Sequence, residues 1–384
     1  MLFPDAAEPL SVILKPAGSR CNLDCLYCYD KRRELADAGY VSSTILRNFL
    51  SAASGHPLNI SLHGGEPSLT PLHRLEEIAK VLAEHDSEVT VNIVTNGKLL
   101  DTKLLHSLRK IWSELTFTIS YDGPNEMSDY RTDFKGRNTA KYAESAMRVL
   151  SNEGIDFTVL SVVTQKSLGN AESFVNKLRT FPKLKMLKLL PCFDISVSQS
   201  LAGRRFRSPN HLTVLDEISG LAPWATTPSE YTEYVLEVTK IWKSAELFNN
   251  FVLDPTTSVM MSLMGSDSGY TDFSWKKQPY IVVISPTGIL STSDEFESNL
   301  AYIANLQTPL KMPIADAIRN NPIRLWKKCN EISEKCFSCS HNKICKGGNL
   351  PDRITLIEDD MLTEQYCSSR ITLINEIEKL MGTK

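Results

Sequence analysis

The sequence predicts an α/β fold: a partial (β/α)6 TIM-like barrel, open on one side, followed by a smaller cysteine-bearing domain. Three observations predict it. Short apolar, β-branched runs alternate with helix-period runs over residues 11–190, the pattern of a parallel sheet with helices outside it. The alternation stops after a sixth strand, short of the eight that close a barrel. The nine cysteines fall into a group near the N-terminus and a group between residues 329 and 367, with one between them. The expected divisions are 1–191 for the partial barrel, 192–278 for a helical bridge and 279–384 for the second domain.

Taken in order, residues 11–15 read as a strand ending in a Pro/Gly turn. Residues 41–50, opened by Ser42 and Ser43, read as a capped helix. Strands follow at 58–62, 89–94, 115–120, 157–163 and 186–190, and helices at 72–83, 103–111, 139–150 and 171–178. Residues 204–208 are polar and basic, while 216–221 and 231–248 have helical spacing. Residues 280–292 read as a β-hairpin turning through Pro286-Thr287-Gly288. Residues 371–380 form an amphipathic closing helix expected to pack on the barrel.

The chemistry-bearing stretch is Cys21-x3-Cys25-x2-Cys28, on a loop directly after the first strand. Three thiols so close suit one metal centre. They are one short of the four thiolates that usually hold an iron–sulfur cluster, which leaves an open coordination position. A structural zinc wants four ligands, and no nearby His or Cys supplies the fourth. His63-Gly64-Gly65-Glu66-Pro67 follows the second strand, where two glycines let backbone approach a ligand. Thr95-Asn96-Gly97 follows the third strand. Ser120, at the end of the fourth, precedes Tyr121-Asp122-Gly123-Pro124, and Arg131 follows with a fork of donors suited to a carboxylate. The competing reading of Arg131 is an ion pair with Asp129 or Asp133. Ser161 and Thr164 end the fifth strand. Cys192 follows the sixth and reads most simply as a small buried apolar residue. Near the C-terminus, Cys336-x2-Cys339-x5-Cys345 and then Cys367 supply four thiols, a set that zinc or a 4Fe–4S cluster could use. Cys329 is spare and expected to be a free thiol.

Net charge is −3 and hydrophobic content 42%, so neither nucleic acid nor an anionic membrane is expected as a partner. No apolar run is long enough to span a bilayer. The N-terminus lacks a signal-peptide pattern, and cysteine clusters in such a chain argue against a disulfide framework. A cytoplasmic location under low oxygen is expected.

The cysteine spacing, with Tyr27 before its last Cys, resembles the signature of radical S-adenosylmethionine (SAM) enzymes. The C-terminal cysteines followed by Lys346-Gly347-Gly348 resemble the SPASM extension of radical SAM peptide maturases. The resemblance implies that Cys21, Cys25 and Cys28 hold a 4Fe–4S cluster whose open iron chelates SAM. It implies that Tyr27, Gly64, Gly65, Glu66, Pro67, Asn96, Ser120, Arg131 and Ser161 line the SAM pocket. Reduction of SAM would give a 5′-deoxyadenosyl radical, fed by an electron donor such as flavodoxin or ferredoxin. SPASM domains with two auxiliary clusters carry a Cys after the hairpin glycine and another after the third Cys of the central run. This chain has Ile289-Leu290-Ser291-Thr292-Ser293-Asp294 and Lys346-Gly347-Gly348-Asn349 in those places. One auxiliary 4Fe–4S cluster is therefore expected, held by Cys336, Cys339, Cys345 and Cys367.

That pattern, with Asp294-Glu295 after the hairpin and the run from Lys346 to Arg353, resembles maturases that cross-link ribosomally made precursor peptides, cyclophane-forming ones included. The expected reaction is hydrogen abstraction from a core residue followed by a side-chain cross-link, with Asp294 and Glu295 the candidate catalytic bases. The alternatives are a peptide epimerase, for which Cys192 or Cys329 would donate hydrogen, a formylglycine-forming sulfatase maturase, and a non-enzymatic metal scaffold. Leader recognition is expected to use the SPASM region, the bridge or a separate protein.

Overall fold

The structure, a computed structural model, describes residues 8–32, 39–194, 221–274, 277–293, 301–319, 334, 336–356 and 359–382. The elements, in chain order, are β1 (Leu10–Leu14), α1 (Ser43–Ala52), β2 (Leu58–Leu62), α2 (Leu72–Leu82), β3 (Val89–Thr95), α3 (Thr102–Ile111), β4 (Thr116–Ser120) and α4 (Ala140–Asn152). Then come β5 (Phe157–Val163), α5 (Ala171–Leu178), β6 (Leu184–Pro191), α6 (Pro228–Ser244), β7 (Val252–Asp254), α7 (Thr256–Leu263), β8 (Ile281–Ile284), β9 (Ile289–Ser291) and β10 (Tyr302–Asn305). The last helices are α8 (Ile314–Arg319), α9 (Asn342–Cys345), α10 (Leu350–Leu356) and α11 (Asp360–Met381). All six expected barrel strands form, and the result is a mixed α/β fold with a parallel sheet.

Local chemistry accounts for the boundaries. Ser42 caps α1, its hydroxyl accepting from Ile45 N at 3.3 Å. Asp101 caps α3 by accepting from Leu104 N at 2.7 Å. Thr227 and Glu230 close a reciprocal capping box on α6. Such caps each stabilise a helix by roughly 1 kcal/mol.

Contacts divide the chain into two compact units: residues 1–22, 29–118 and 275–335, and residues 23–28, 119–274 and 336–384. In the first, strands run in the order β10-β9-β8-β1-β2-β3. β8, β1, β2 and β3 are parallel, and β9 and β10 extend them antiparallel. Register sets Val12 opposite Ile60, and Ile60 opposite Val91. Leu10, Val12 and Leu14 have no exposed surface, and each such side chain stabilises by roughly 1.5–3 kcal/mol. A one-residue slip would turn that row outward. The expected hairpin forms, and its first strand β8 also pairs with β1, a pairing the sequence pattern does not reveal.

In the second unit β5, β6 and β7 are parallel neighbours. β5 alternates buried and half-buried along its whole length. The stretch expected to be a helical bridge contains β7, paired to β6, besides α6 and α7. Three residues, Val252 to Asp254, are too few for a period-2 signal. The closing helix starts eleven residues earlier than expected (360 against 371), where Asp359 accepts from Leu362 N at 3.0 Å. It packs on α6 and α7. Residues 204–208 and 216–220, and Cys329, lie outside the described residues.

Candidate functional site

The cysteine loop is shared between the units: Cys21 falls in the first, Cys25 and Cys28 in the second. All three are half-buried.

In the first unit, the turn after β2 is pressed onto the loop that leads into Cys21. Gly65 N donates to Gly18 O at 2.9 Å and Glu66 N to Arg20 O at 2.7 Å. A Cβ on Gly65 would lie 2.0 Å from Arg20 O, and one on Gly64 would lie 2.5 Å from Gly18 O. Only glycine fits either place, and Gly64 also needs its φ of +108°. Glu66 is 2% exposed. Its Oε1 accepts from Ser68 N at 3.0 Å, Ser68 Oγ at 2.6 Å and Thr95 Oγ1 at 2.7 Å, and its Oε2 accepts from Asn96 N at 2.8 Å. The carboxylate thus pins the Gly-Gly turn to the Thr95-Asn96-Gly97 turn, and Pro67 starts the short 3₁₀ turn that follows. Asn96 Nδ2 donates to Asn22 Oδ1 at 2.8 Å and lies 3.7 Å from Cys21 Sγ. Lys98 Nζ donates to Asn22 O at 3.0 Å. In the same unit, Lys15 and Asp30 form a buried ion pair at 2.7 Å.

In the second unit, Asp24 N donates to Thr132 O at 2.6 Å and Leu26 N to Tyr130 O at 2.9 Å. These two bonds strap the Cys25–Cys28 turn to the segment after β4. Tyr27 Oη donates to Asp122 Oδ2 in a short bond and accepts from Arg131 Nη1 at 3.0 Å. Arg131 is 8% exposed and stands 3.9 Å from Asp122. Burial pushes the Asp122 carboxyl up, against the pull of Arg131 and Tyr27. Burial likewise pushes the Tyr27 phenol up, helped by Asp122 and opposed by Arg131. Arg131 does not pair with Asp129 or Asp133. Asp133 takes Arg137 at 2.7 Å, and Asp129 accepts from Asn138. Ser161 is buried, with its Oγ 3.5 Å from Asp122 O. Ser120 is half-buried at the end of β4. Thr164 Oγ1 is engaged in its own turn, accepting from Lys166 N at 3.3 Å. Cys192 packs among Ala222, Trp224 and Ala225, in line with the apolar reading.

The second unit also carries the C-terminal thiols. Cys336 and Cys345 are half-buried, Cys339 and Cys367 exposed. Cys339 N donates to Cys336 O at 3.1 Å, and α9 ends at Cys345. The chain then turns through Lys346, Gly347 and Gly348, all with positive φ. A Cβ on Gly348 would meet Tyr366 Oη at 2.5 Å, so that turn too requires glycine. Cys367 lies on α11. Burial pushes its thiol up, while Arg353 and Arg370 pull the other way. Beside this group is a cleft lined in part by Phe193, Tyr231, Asp272, Asp352, Tyr366 and Arg370.

Asp122, Arg353 and Arg370 were not singled out by residue pattern. Asp122 sits inside a quoted motif but reads as a turn residue. Arg370 follows Cys367 by three positions, one helical turn, and that spacing is the signal available. Asp294 and Glu295 lie outside the described residues. Among the described residues, no three His, Cys, Asp or Glu side chains are grouped as ligands of one metal ion. A single zinc would need its thiolates about 3.8 Å apart, from tetrahedral bonds of 2.3 Å. The donor chemistry fits iron–sulfur loading: all-thiolate sets, partly exposed, beside glycine-only backbone turns.

Residues 16–168 match the family model described as the Radical SAM superfamily. A cysteine-type anaerobic sulfatase-maturating enzyme of Clostridium perfringens is 26% identical over 94% of each chain. The solved structure described as native anSMEcpe with bound AdoMet and Cp18Cys peptide superposes with a TM-score of 0.72. It is 23% identical and covers 97% of each chain. The structure of Streptococcus suis SuiB bound to S-adenosylmethionine gives a TM-score of 0.59 at 16% identity, covering 94% of this chain and 76% of that one. The chain carries a radical SAM domain, and its fold is the one these structures share.

Proposed function

We propose that this chain is a peptide maturase of the radical SAM type, carrying out a two-electron oxidation of a residue in a ribosomally made precursor peptide. It is a radical SAM enzyme, and its cofactors are SAM and 4Fe–4S clusters. Cys21, Cys25 and Cys28 hold the SAM-binding cluster; Cys336, Cys339, Cys345 and Cys367 hold one auxiliary cluster. When bound, these groups supply a hydrogen-abstracting radical and an electron sink.

The observation that carries the proposal is the seating of Gly64 and Gly65 on residues 18–20. It holds two half-buried glycines beside the loop that bears Cys21, a place where backbone carbonyls can meet the amino group of an amino-acid-like ligand. Glu66 and Asn96 fix that backbone so that binding costs little reordering. Tyr27, Asp122 and Arg131 do the same for the Cys25–Cys28 turn. The guanidinium of Arg131 supports the ligand side by holding the Tyr27 phenol, and offers further donors to a carboxylate. Asp294 and Glu295 remain the proposed bases for the departing proton.

The finer product is a side-chain cross-link of cyclophane type. The support is the absence from the sequence of the two extra cysteines that a second auxiliary cluster would take. A second reading is favoured by likeness to a sulfatase-maturating enzyme over 94% of both chains: oxidation of Cys or Ser to formylglycine.

The test is to incubate the anaerobically reconstituted, reduced enzyme with SAM and the short peptide encoded beside its gene, then read the peptide by mass spectrometry. A product lighter by two hydrogens that resists hydrazine labelling is expected. A hydrazine-reactive aldehyde would move the assignment to formylglycine formation. Unchanged mass with solvent deuterium incorporated would mean epimerisation. An unmodified peptide with SAM intact would overturn the proposal.

A further inference from the structure

Two arginines donate to the sulfur atoms of the C-terminal cysteines, and no motif assigns them a role. Arg353 Nη1 lies 3.0 Å from Cys336 Sγ and 3.0 Å from Gly347 O. Arg370 Nε lies 3.2 Å from Cys345 Sγ, and its Nη2 donates to Asp272 O at 2.8 Å and Cys345 O at 3.0 Å. Neither can swing freely. Arg370 is stacked on Phe273, with Cζ 3.9 Å from the ring centroid, and lies 5.7 Å from the Tyr366 ring. Arg353 is held on α10 by the carbonyl that opens the Gly347-Gly348 turn. Three backbone carbonyls and two aromatic faces therefore aim two fixed positive charges at two of the four thiolates.

We infer that Arg353 and Arg370 tune the auxiliary centre, raising its reduction potential so that it can accept an electron from the substrate side. This rests on the reading that Cys336, Cys339, Cys345 and Cys367 hold a 4Fe–4S cluster. Uptake of one electron adds one negative charge to such a centre. Guanidinium charge and N–H donation to the thiolate sulfurs stabilise that extra charge more than the oxidised form, and both act on potential. Each arginine comes from a different helix, α10 and α11, so the tuning is built from packing and not from one flexible side chain. Lysine would keep a charge but not the planar fork that reaches sulfur and carbonyl together.

The test isolates this centre. In a Cys21→Ala, Cys25→Ala, Cys28→Ala background, the reconstituted protein is titrated with dithionite and followed by electron paramagnetic resonance. Arg353→Gln and Arg370→Gln are each expected to shift the reduction equilibrium about tenfold toward the oxidised form, about 59 mV more negative for one electron. Arg353→Lys should recover part of the shift. Arg370→Gln loosens the Phe273 stack; if it fails to fold, Arg353→Gln decides. Unchanged midpoints in folded variants with full iron content would overturn the inference. A background protein that takes up zinc or no iron would overturn instead the cluster reading beneath it.

Discussion

Glu66 shows how one side chain serves two motifs. The sequence suggests a charge beside a ligand, while the structure spends both carboxylate oxygens on Ser68, Thr95 and Asn96. Glu66→Gln would present an amide NH2 to groups that are already donors. The expected cost is about 1–3 kcal/mol, the price of leaving buried polar groups unpaired. Chemical denaturation of the apoprotein measures it, and SAM binding should weaken in parallel. An unchanged midpoint would mean that the two turns are held otherwise. Gly65→Ala is harsher: its Cβ would meet Arg20 O at 2.0 Å, so the backbone must shift. Loss of SAM binding measured by equilibrium dialysis is expected, and retention of wild-type affinity would detach this turn from the ligand. Lys15→Met removes the ammonium paired at 2.7 Å with Asp30, a carboxylate of 6% side-chain exposure. Removing one partner of a buried pair costs about 3–5 kcal/mol, read as a lower thermal midpoint.

At the scale of elements, α11 ties together the chemistry of the second unit. It carries Cys367 and Arg370 and packs on α6 and α7. Its N-cap is a local handle: Asp359→Ala should lose about 1 kcal/mol of stability while leaving iron content intact. A variant that lost iron would show that the helix start, and not only its middle, sets the thiolate geometry. Most elements were legible in the sequence. Residues 58–62, 157–163 and 171–178 end where the pattern ends, because a strict period and flanking turn residues mark both limits. β7 was not, since three residues carry no period. The start of α11 was not either. Its first turns are rich in polar side chains, and only the Asp359 cap distinguishes them from a loop. The Cys, Gly-Gly and Thr-Asn-Gly motifs of the site were legible because each needs a particular residue type. The Tyr27–Asp122–Arg131 contact and the arginine–sulfur contacts were not, since they join residues far apart in sequence through packing alone.

For the molecule as a whole, the sequence carries a net charge of −3. Among the described residues no helix is long and apolar enough to cross a membrane. The two sets of thiols together predict about eight irons per chain after reconstitution. Reductive cleavage of SAM is proposed at the Cys21, Cys25 and Cys28 centre. The most direct measurement is 5′-deoxyadenosine released by the anaerobically reconstituted, dithionite-reduced enzyme, beside a Cys25→Ala variant. Steady release by the wild-type enzyme and none by the variant is expected. No release by iron-loaded wild-type enzyme, or equal release by both, would contradict it.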